Sequence, residues 1–249
     1  MKIQVAGAAL AGALLLSPLA AQAQTAMDSN DWKFSVMPYL WLPDVKANLN
    51  VDSLSAEVKP DNYLDNLDFA AMLSGAARKG RWVIGTDLMY MHFSDSQSTV
   101  GAGGLFNRGG NVDIKGLVWT AAGGYSLILE PKSNLDVFAG FRYLGLDTRV
   151  NTDIVIGRSA EEKASIWAGI IGARGRVSLG DSSWFANGYV DVGGGSSAFT
   201  WQGVAGVGYA LDWGDVILDY RYLYYSQGSD KPIDDMKMGG LALGANFRF

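Results

Sequence analysis

Three acidic residues in the first third of the chain have a spacing that could support metal chemistry. Asp61, Asp65 and Asp68 stand at i, i+4 and i+7, so a short helix would carry all three carboxylates on one face. Clustered carboxylate oxygens are the ligands that hard divalent cations prefer. The stretch lacks the ligand order and the glycine of a calcium-binding loop, and a solvated helix face explains the same spacing. We therefore expect no metal and no other cofactor, with these three residues as the only metal candidates.

A base and a nucleophile stand two residues apart at the predicted end of a strand. His92 is the only histidine, and Ser94 follows it on the same parity, which we expect to face lipid. The pair resembles the His-x-Ser pair of outer-membrane lipid A deacylases, and the resemblance implies that histidine acts as base and serine as nucleophile. The nearest acids, Asp87 and Asp95, have the opposite parity and are not placed to orient the imidazole. We therefore expect no enzymatic activity, with His92 and Ser94 as the only catalytic candidates.

The composition excludes several other kinds of site. The chain has no cysteine, so thiolate catalysis, disulfides and cysteine metal sites are impossible. Its net charge of −5, from 20 basic and 25 acidic residues, argues against nucleic acid as a partner. The 32 glycines and 12% aromatic residues suit strands with close backbone approach and aromatic girdles better than a helical bundle.

Residues 1–23 have the features of a secretory signal peptide. Lys2 supplies the positive start, an apolar centre runs over residues 5–16, and Ala21-Gln22-Ala23 has the small-x-small cleavage pattern. The apolar run is shorter than the ~20 residues that a permanent membrane helix needs. We expect cleavage after Ala23, a periplasmic N-terminal segment over residues 24–31 and one domain over residues 32–249.

Most of the remaining chain alternates between apolar and small or polar residues, a period of two that indicates β-strands. Ten segments have this pattern: 32–42, 68–77, 82–92, 112–129, 135–150, 164–178, 184–192, 199–211, 216–225 and 241–249. Brief turns alternate with mostly longer polar connections, which is typical of a membrane barrel with both termini on the periplasmic side. Residues 43–67 form a long polar connection that also alternates in part, so a hairpin over residues 43–59 would give twelve strands, whereas merged pairs would give eight.

Charged residues within these segments occupy the parity opposite the apolar one. They include Arg78, Asp87, Arg142, Arg174, Arg176, Asp191, Asp219, Arg221 and Arg248. Since an Arg or Lys at the bilayer midplane costs about 2–4 kcal/mol, these side chains must face a barrel interior. Opposite charges can pair there across strands, because an unpaired buried charge is expensive. A soluble sandwich shows similar alternation, but the aromatic residues near the strand ends favour a barrel with interfacial girdles.

The last nine residues place Leu241, Leu243, Ala245, Phe247 and Phe249 on one parity, and the chain ends on an aromatic residue. Termini of soluble domains are usually polar and frayed. With the signal peptide and the amphipathic strands, this ending resembles the small outer-membrane β-barrel proteins of Gram-negative bacteria, of the OmpA, OmpX and OmpW type. The resemblance implies an all-β, transmembrane, antiparallel up-and-down barrel in the cell outer membrane, in contact with outer-membrane lipid and lipopolysaccharide. It also implies that Phe247 and Phe249 are the signal read by the barrel assembly machinery.

The strand number bears on function, because open aqueous channels normally need more than ten strands. Charges of both signs inside such a narrow barrel predict a largely plugged polar lumen. We therefore expect a structural or surface-interaction protein whose loops could meet an extracellular ligand. Two alternatives stay open: a narrow porin-like channel for small solutes, and a lipid A-modifying enzyme that uses His92 and Ser94.

Overall fold

The computed structural model describes residues 31–49, 55–58, 67–95, 110–152, 158–195, 198–227 and 233–249. These residues form eleven strands: β1 (Trp32–Leu49), β2 (Ser55–Val58), β3 (Leu67–Lys79), β4 (Trp82–Asp95), β5 (Gly110–Leu129), β6 (Ser133–Thr152), β7 (Arg158–Ser178), β8 (Trp184–Gly195), β9 (Ala198–Leu211), β10 (Gly214–Ser226) and β11 (Ile233–Arg248). Within these ranges no helix is long and apolar enough to cross a membrane. The predicted signal peptide lies outside the described residues and stays a prediction.

Ten of the strands close into a barrel. Each strand from β3 to β11 pairs antiparallel with the next, and β1 pairs with β3 on one side and with β11 on the other. The short strand β2 pairs with the far end of β1, from Val45↔Val58 to Asn48↔Ser55. The predicted fold class and the count of ten barrel strands are therefore confirmed, and the described residues of the 43–67 stretch include one short strand, β2, outside the barrel ring.

Four short connections between strands lie at one end of the barrel, which we call the turn end. The start of β1 and the end of β11 lie at the same end. Gly80 and Gly180 lie in two of these connections with φ of 55° and 67°, a left-handed conformation that glycine adopts without strain. Phe34 and Phe249 exchange two backbone hydrogen bonds of 3.0 and 2.9 Å there, so the first and last strands meet at this end. We call the opposite end the loop end.

Alternation along each strand separates an apolar exterior from a largely charged interior. Large side chains such as Trp82, Ile171 and Leu243 are exposed on the outside, whereas Arg142 and Asp191 are buried inside. This arrangement inverts the usual distribution of a soluble protein, in which charged residues are almost never fully buried unless they are paired.

The seam between β1 and β3 is shorter than the other seams of the barrel. Their pairing runs from Trp32↔Lys79 to Pro38↔Leu73 and stops there. Pro38 has no backbone N–H, so it cannot donate to a neighbouring strand. Beyond Pro38 the backbone N–H of Trp41 donates instead to the sulfur of Met72, at 3.1 Å. The side chain of Met72 thus lies between the backbones of β1 and β3 in this part of the barrel.

Part of the interior is apolar. An apolar cluster of inward-facing, buried side chains consists of Trp41, Met72, Met89, Val118, Leu144, Ile166, Ala198, Leu223, Tyr225, Met236 and Met238. On β4, β6 and β10 its members Met89, Leu144 and Leu223 lie two residues closer to the loop end than a charged inward residue of the same strand. The interior therefore changes from charged to apolar along the barrel axis, whereas the sequence analysis predicted a polar lumen.

Candidate functional site in the barrel interior

The middle of the interior contains a buried network centred on Arg221 of β10. Its Nη2 atom lies 3.0 Å from Oδ1 of Asp87 and donates to Oε1 of Gln202 at 2.9 Å. Its Nη1 atom donates to the hydroxyl of Tyr39 at 2.9 Å, and that hydroxyl donates to Asp87 at 3.0 Å. We call these four residues the Arg221 network. They come from β1, β4, β9 and β10 and therefore connect several sectors of the wall.

A second buried network is centred on Arg142 of β6. Its Nη2 atom forms an ion pair with Asp191, which also accepts a hydrogen bond from the hydroxyl of Tyr189. The other guanidinium nitrogens donate to the hydroxyls of Thr120 and Thr200, each at 3.2 Å. We call these five residues the Arg142 network. Charged hydrogen bonds of this kind are the ones that can offset the desolvation of buried ions.

Nearer the turn end, Asp136 is shared by two arginines. Its Oδ2 atom lies 2.6 Å from Nη2 of Arg78 and 3.0 Å from Nε of Arg174. Its Oδ1 atom accepts a hydrogen bond from the hydroxyl of Ser126 at 2.7 Å. One carboxylate is thus surrounded by donors from β3, β5 and β7.

Asp215 is shared in the same way by two other arginines. Nη1 of Arg176 and Nη2 of Arg248 each lie 3.0 Å from one of its oxygens. The side-chain amide of Asn246 donates to Asp215 at 3.0 Å. The guanidinium of Arg176 also lies 3.4 Å from the centre of the Phe185 ring, a cation–π contact.

A cavity of ~340 Å³ lies between these groups, in the turn half of the interior. The exposed fraction of the arginine side chains falls from 50% at Arg248 and 34% at Arg174 to 7% at Arg221. Water therefore reaches the cavity from the turn end, and access decreases inward. The Arg221 network lies at its inner end.

All nine charged residues predicted for the interior face inward, but only some of them meet. Arg142 pairs with Asp191 and Arg221 pairs with Asp87. Asp219 instead accepts a hydrogen bond from the amide of Asn187, at 2.8 Å.

Sequence reasoning missed two acidic partners. Asp136 and Asp215, which hold four of the predicted arginines, were not among the predicted residues, although both have the inward parity.

The structure describes only some of the remaining candidates. His92 has the outward parity, in register with Phe69 of β3 and Lys115 of β5. The side chain of Ser94 lies outside the described part, and Asp87 faces the interior. Asp61 and Asp65 are outside the described residues. The helical interpretation is wrong at Asp68, which belongs to strand β3. The described residues contain no group of three or more metal-ligating side chains.

No family model and no curated protein matches this sequence. Solved structures with a similar fold include Ail, the attachment invasion locus protein of Yersinia pestis, at 12% identity and a TM-score of 0.42, covering 89% of this chain and 100% of that one. The translocator domain of the autotransporter NalP from Neisseria meningitidis has 16% identity and a TM-score of 0.45, covering 90% and 91%. Neisserial surface protein A has 16% identity and a TM-score of 0.36, covering 88% and 97%.

These solved structures are small outer-membrane β-barrels. All three TM-scores lie below 0.5, so the barrel assignment for this chain rests on its own strand pairing.

Proposed function

We propose that this protein is an outer-membrane β-barrel whose interior is closed to solutes and whose role is structural or surface-interacting. The observation that carries the proposal is that buried side chains fill much of the interior: the Arg221 network, the Arg142 network and, toward the loop end, the apolar cluster. A barrel of this strand number is narrow enough for side chains to fill it.

The membrane location is supported by the exterior. A continuous apolar surface is expected where strands contact acyl chains. The tryptophans Trp32, Trp82, Trp184 and Trp213 are exposed on the outside or in turns at the turn end, the positions of an aromatic girdle at a membrane interface. With the predicted export signal, the turn end then faces the periplasm.

The surface-interaction role is supported by the lengths of three adjacent strands. β5, β6 and β7 contain 20, 20 and 21 residues, whereas a tilted membrane crossing needs about 9–11. Because their turn ends are aligned with those of the other strands, the extra length projects at the loop end. This projection offers a sheet surface outside the membrane for an extracellular ligand.

Planar-bilayer recording tests whether the interior is closed. We expect wild-type protein, inserted and folded, to give no stable ion conductance. Gel mobility with and without boiling would verify that the inserted protein is folded, because folded barrels migrate differently from unfolded ones. A stable conductance from folded wild-type protein would contradict the closed interior and favour the narrow porin-like channel.

The proposal gives His92 no catalytic role. We expect the lipid A mass profile of cells to be the same with wild-type protein, with the His92→Ala variant and without the protein. A mass change that requires His92 would contradict this and favour the lipid A-modifying enzyme.

A further inference from the structure

The cavity in the turn half of the interior has a surplus of positive charge. Asp136 and Asp215 are each already shared by two guanidinium groups, those of Arg78 with Arg174 and of Arg176 with Arg248. Asp219 also lines the cavity, where the amide of Asn187 donates to it at 2.8 Å, and Asp87 at the inner end is paired with Arg221. Lys33 has the inward parity as well and lies in register with Arg78. Among the described inward-facing side chains near the turn end, cations therefore outnumber carboxylates.

Arg174 has hydrogen-bond donors that the described residues do not use. Its one hydrogen bond to them runs from Nε to Asp136, which leaves the four N–H groups of Nη1 and Nη2 available. The side chain extends from β7 across the interior toward β4, where Nη1 would lie 3.6 Å from a Cβ atom added at Gly85. A guanidinium held at Nε, with a free fork of donors, has the geometry that binds planar or tetrahedral oxyanions.

The cavity is accessible and of limited size. The side chain of Arg174 is 34% exposed, so its free donors contact water that a ligand can replace. A volume of ~340 Å³ is at the lower end of the range for small-molecule sites, about 300–1,000 Å³. The Arg221 network closes the inner end, so the occupant must be small and must enter from the turn end.

We infer that this cavity is a binding site for a small oxyanion, with Arg174 as the principal ligand and Arg78 and Arg176 as supporting charges. The guanidinium of Arg174 donates to two anion oxygens, and the neighbouring arginines lower the cost of bringing the anion out of bulk water. The inference rests on the proposed function only for the statement that the site faces the periplasm. Anion binding itself does not depend on whether the barrel conducts.

Titration calorimetry with inorganic phosphate tests the inference on full-length mature protein, folded in non-ionic detergent at low salt. We expect saturable binding by wild-type protein that weakens as salt is added. The Arg174→Gln variant should bind at least about ten-fold more weakly, since it loses the charged hydrogen bonds from the guanidinium to the anion. Lys132→Gln removes the same charge from an exposed turn outside the cavity and should leave binding unchanged.

A second pair of variants tests the free volume of the cavity without changing its charge. Gly85→Leu places a side chain in the cavity beside Arg174 and should weaken phosphate binding by a similar factor. Gly123→Leu is its control, because a Cβ atom at Gly123 meets nothing within 4 Å, and it should bind like wild type. If gel mobility shows that Arg174→Gln does not fold, phosphate binding by Gly85→Leu and Gly123→Leu tests the inference in its place.

Two results would overturn the inference: no saturable phosphate binding by folded wild-type protein, or equal binding by the cavity variants and their controls. Both are distinct from failure of the proposed function, which is measured by conductance. A conducting barrel that binds phosphate would overturn the closed interior alone, and a closed barrel that does not bind would overturn the oxyanion site alone.

Discussion

Arg142 on β6 and Asp191 on β8 form an ion pair in which neither side chain is exposed to solvent. The two strands are not neighbours, because β7 lies between them in the sheet. Transfer of two charges from water costs several kcal/mol per ion, and good geometry with additional hydrogen bonds is needed to offset that cost. Here Thr120 and Thr200 accept hydrogen bonds from the guanidinium of Arg142, and Tyr189 donates one to Asp191. The pair therefore depends on both partners being present.

Removal of one partner of this pair should be strongly destabilising. Asp191→Ala leaves the guanidinium of Arg142 buried without a counter-ion, and we expect the free energy of unfolding to fall by about 3–5 kcal/mol. The measurement is urea unfolding of the protein in phospholipid vesicles. The control is Asp181→Ala in the exposed Lys132–Asp181 pair, where the side chains are 65% and 94% exposed and about 1 kcal/mol or less should be lost. Equal losses in the two variants would contradict the expectation.

A methyl group added at Gly208 should disturb the turn half of the interior. The new Cβ atom would overlap Cζ of the buried Phe185 ring, and the Arg176 guanidinium lies on the face of that ring. We expect Gly208→Ala to lower the free energy of unfolding by about 1–3 kcal/mol through overpacking. Gly123→Ala is the matched control, since nothing lies within 4 Å of its Cβ position. The prediction fails if the two variants unfold at the same urea concentration.

The terminal Phe249 should matter more for assembly than for stability. Its side chain is exposed, whereas its backbone forms the two hydrogen bonds to Phe34 that Phe249→Ala retains. We expect this variant to unfold in detergent within about 1 kcal/mol of wild type. In cells, less of it should be recovered folded from the outer membrane, measured by heat-dependent gel mobility. Wild-type recovery of the variant would argue against Phe249 as part of an assembly signal.

The orientation of the apolar parity can be tested by site-specific labelling, which is simple because the chain has no cysteine. Single cysteines at Leu88, Val190 and Leu243 lie on the exposed outer surface and should carry an environment-sensitive dye into lipid. The same dye at Lys132, in an exposed turn, should report water. Water-like emission from all four sites after folded protein is mixed with phospholipid vesicles would contradict a membrane location.

The alternation of apolar and polar residues was sufficient to predict the strands and the direction of the charged side chains. Successive side chains of any strand point to opposite faces, so this property is local to each strand. The alternation could not predict which charges meet, since the Arg142–Asp191 pair depends on the stagger of strands that are not adjacent. Asp136 and Asp215 were missed because they lie four and two residues after a turn, where an acidic residue is ordinarily explained by turn chemistry. Met72 and Met236 have the inward parity in the sequence, but their membership of one apolar cluster is a tertiary property.

The short seam at Pro38 makes the first strand dependent on the last. β1 is paired with β11 from Ser35 to Leu49, but with β3 only from Trp32 to Pro38. Most of the backbone partners that hold β1 in place are thus supplied by residues about two hundred positions away, and such distant pairings form slowly. The N-terminal strand β1 is synthesised first but completes its backbone pairing only when β11 is in place. A chain truncated before β11 would therefore also leave β1 without most of its backbone partners.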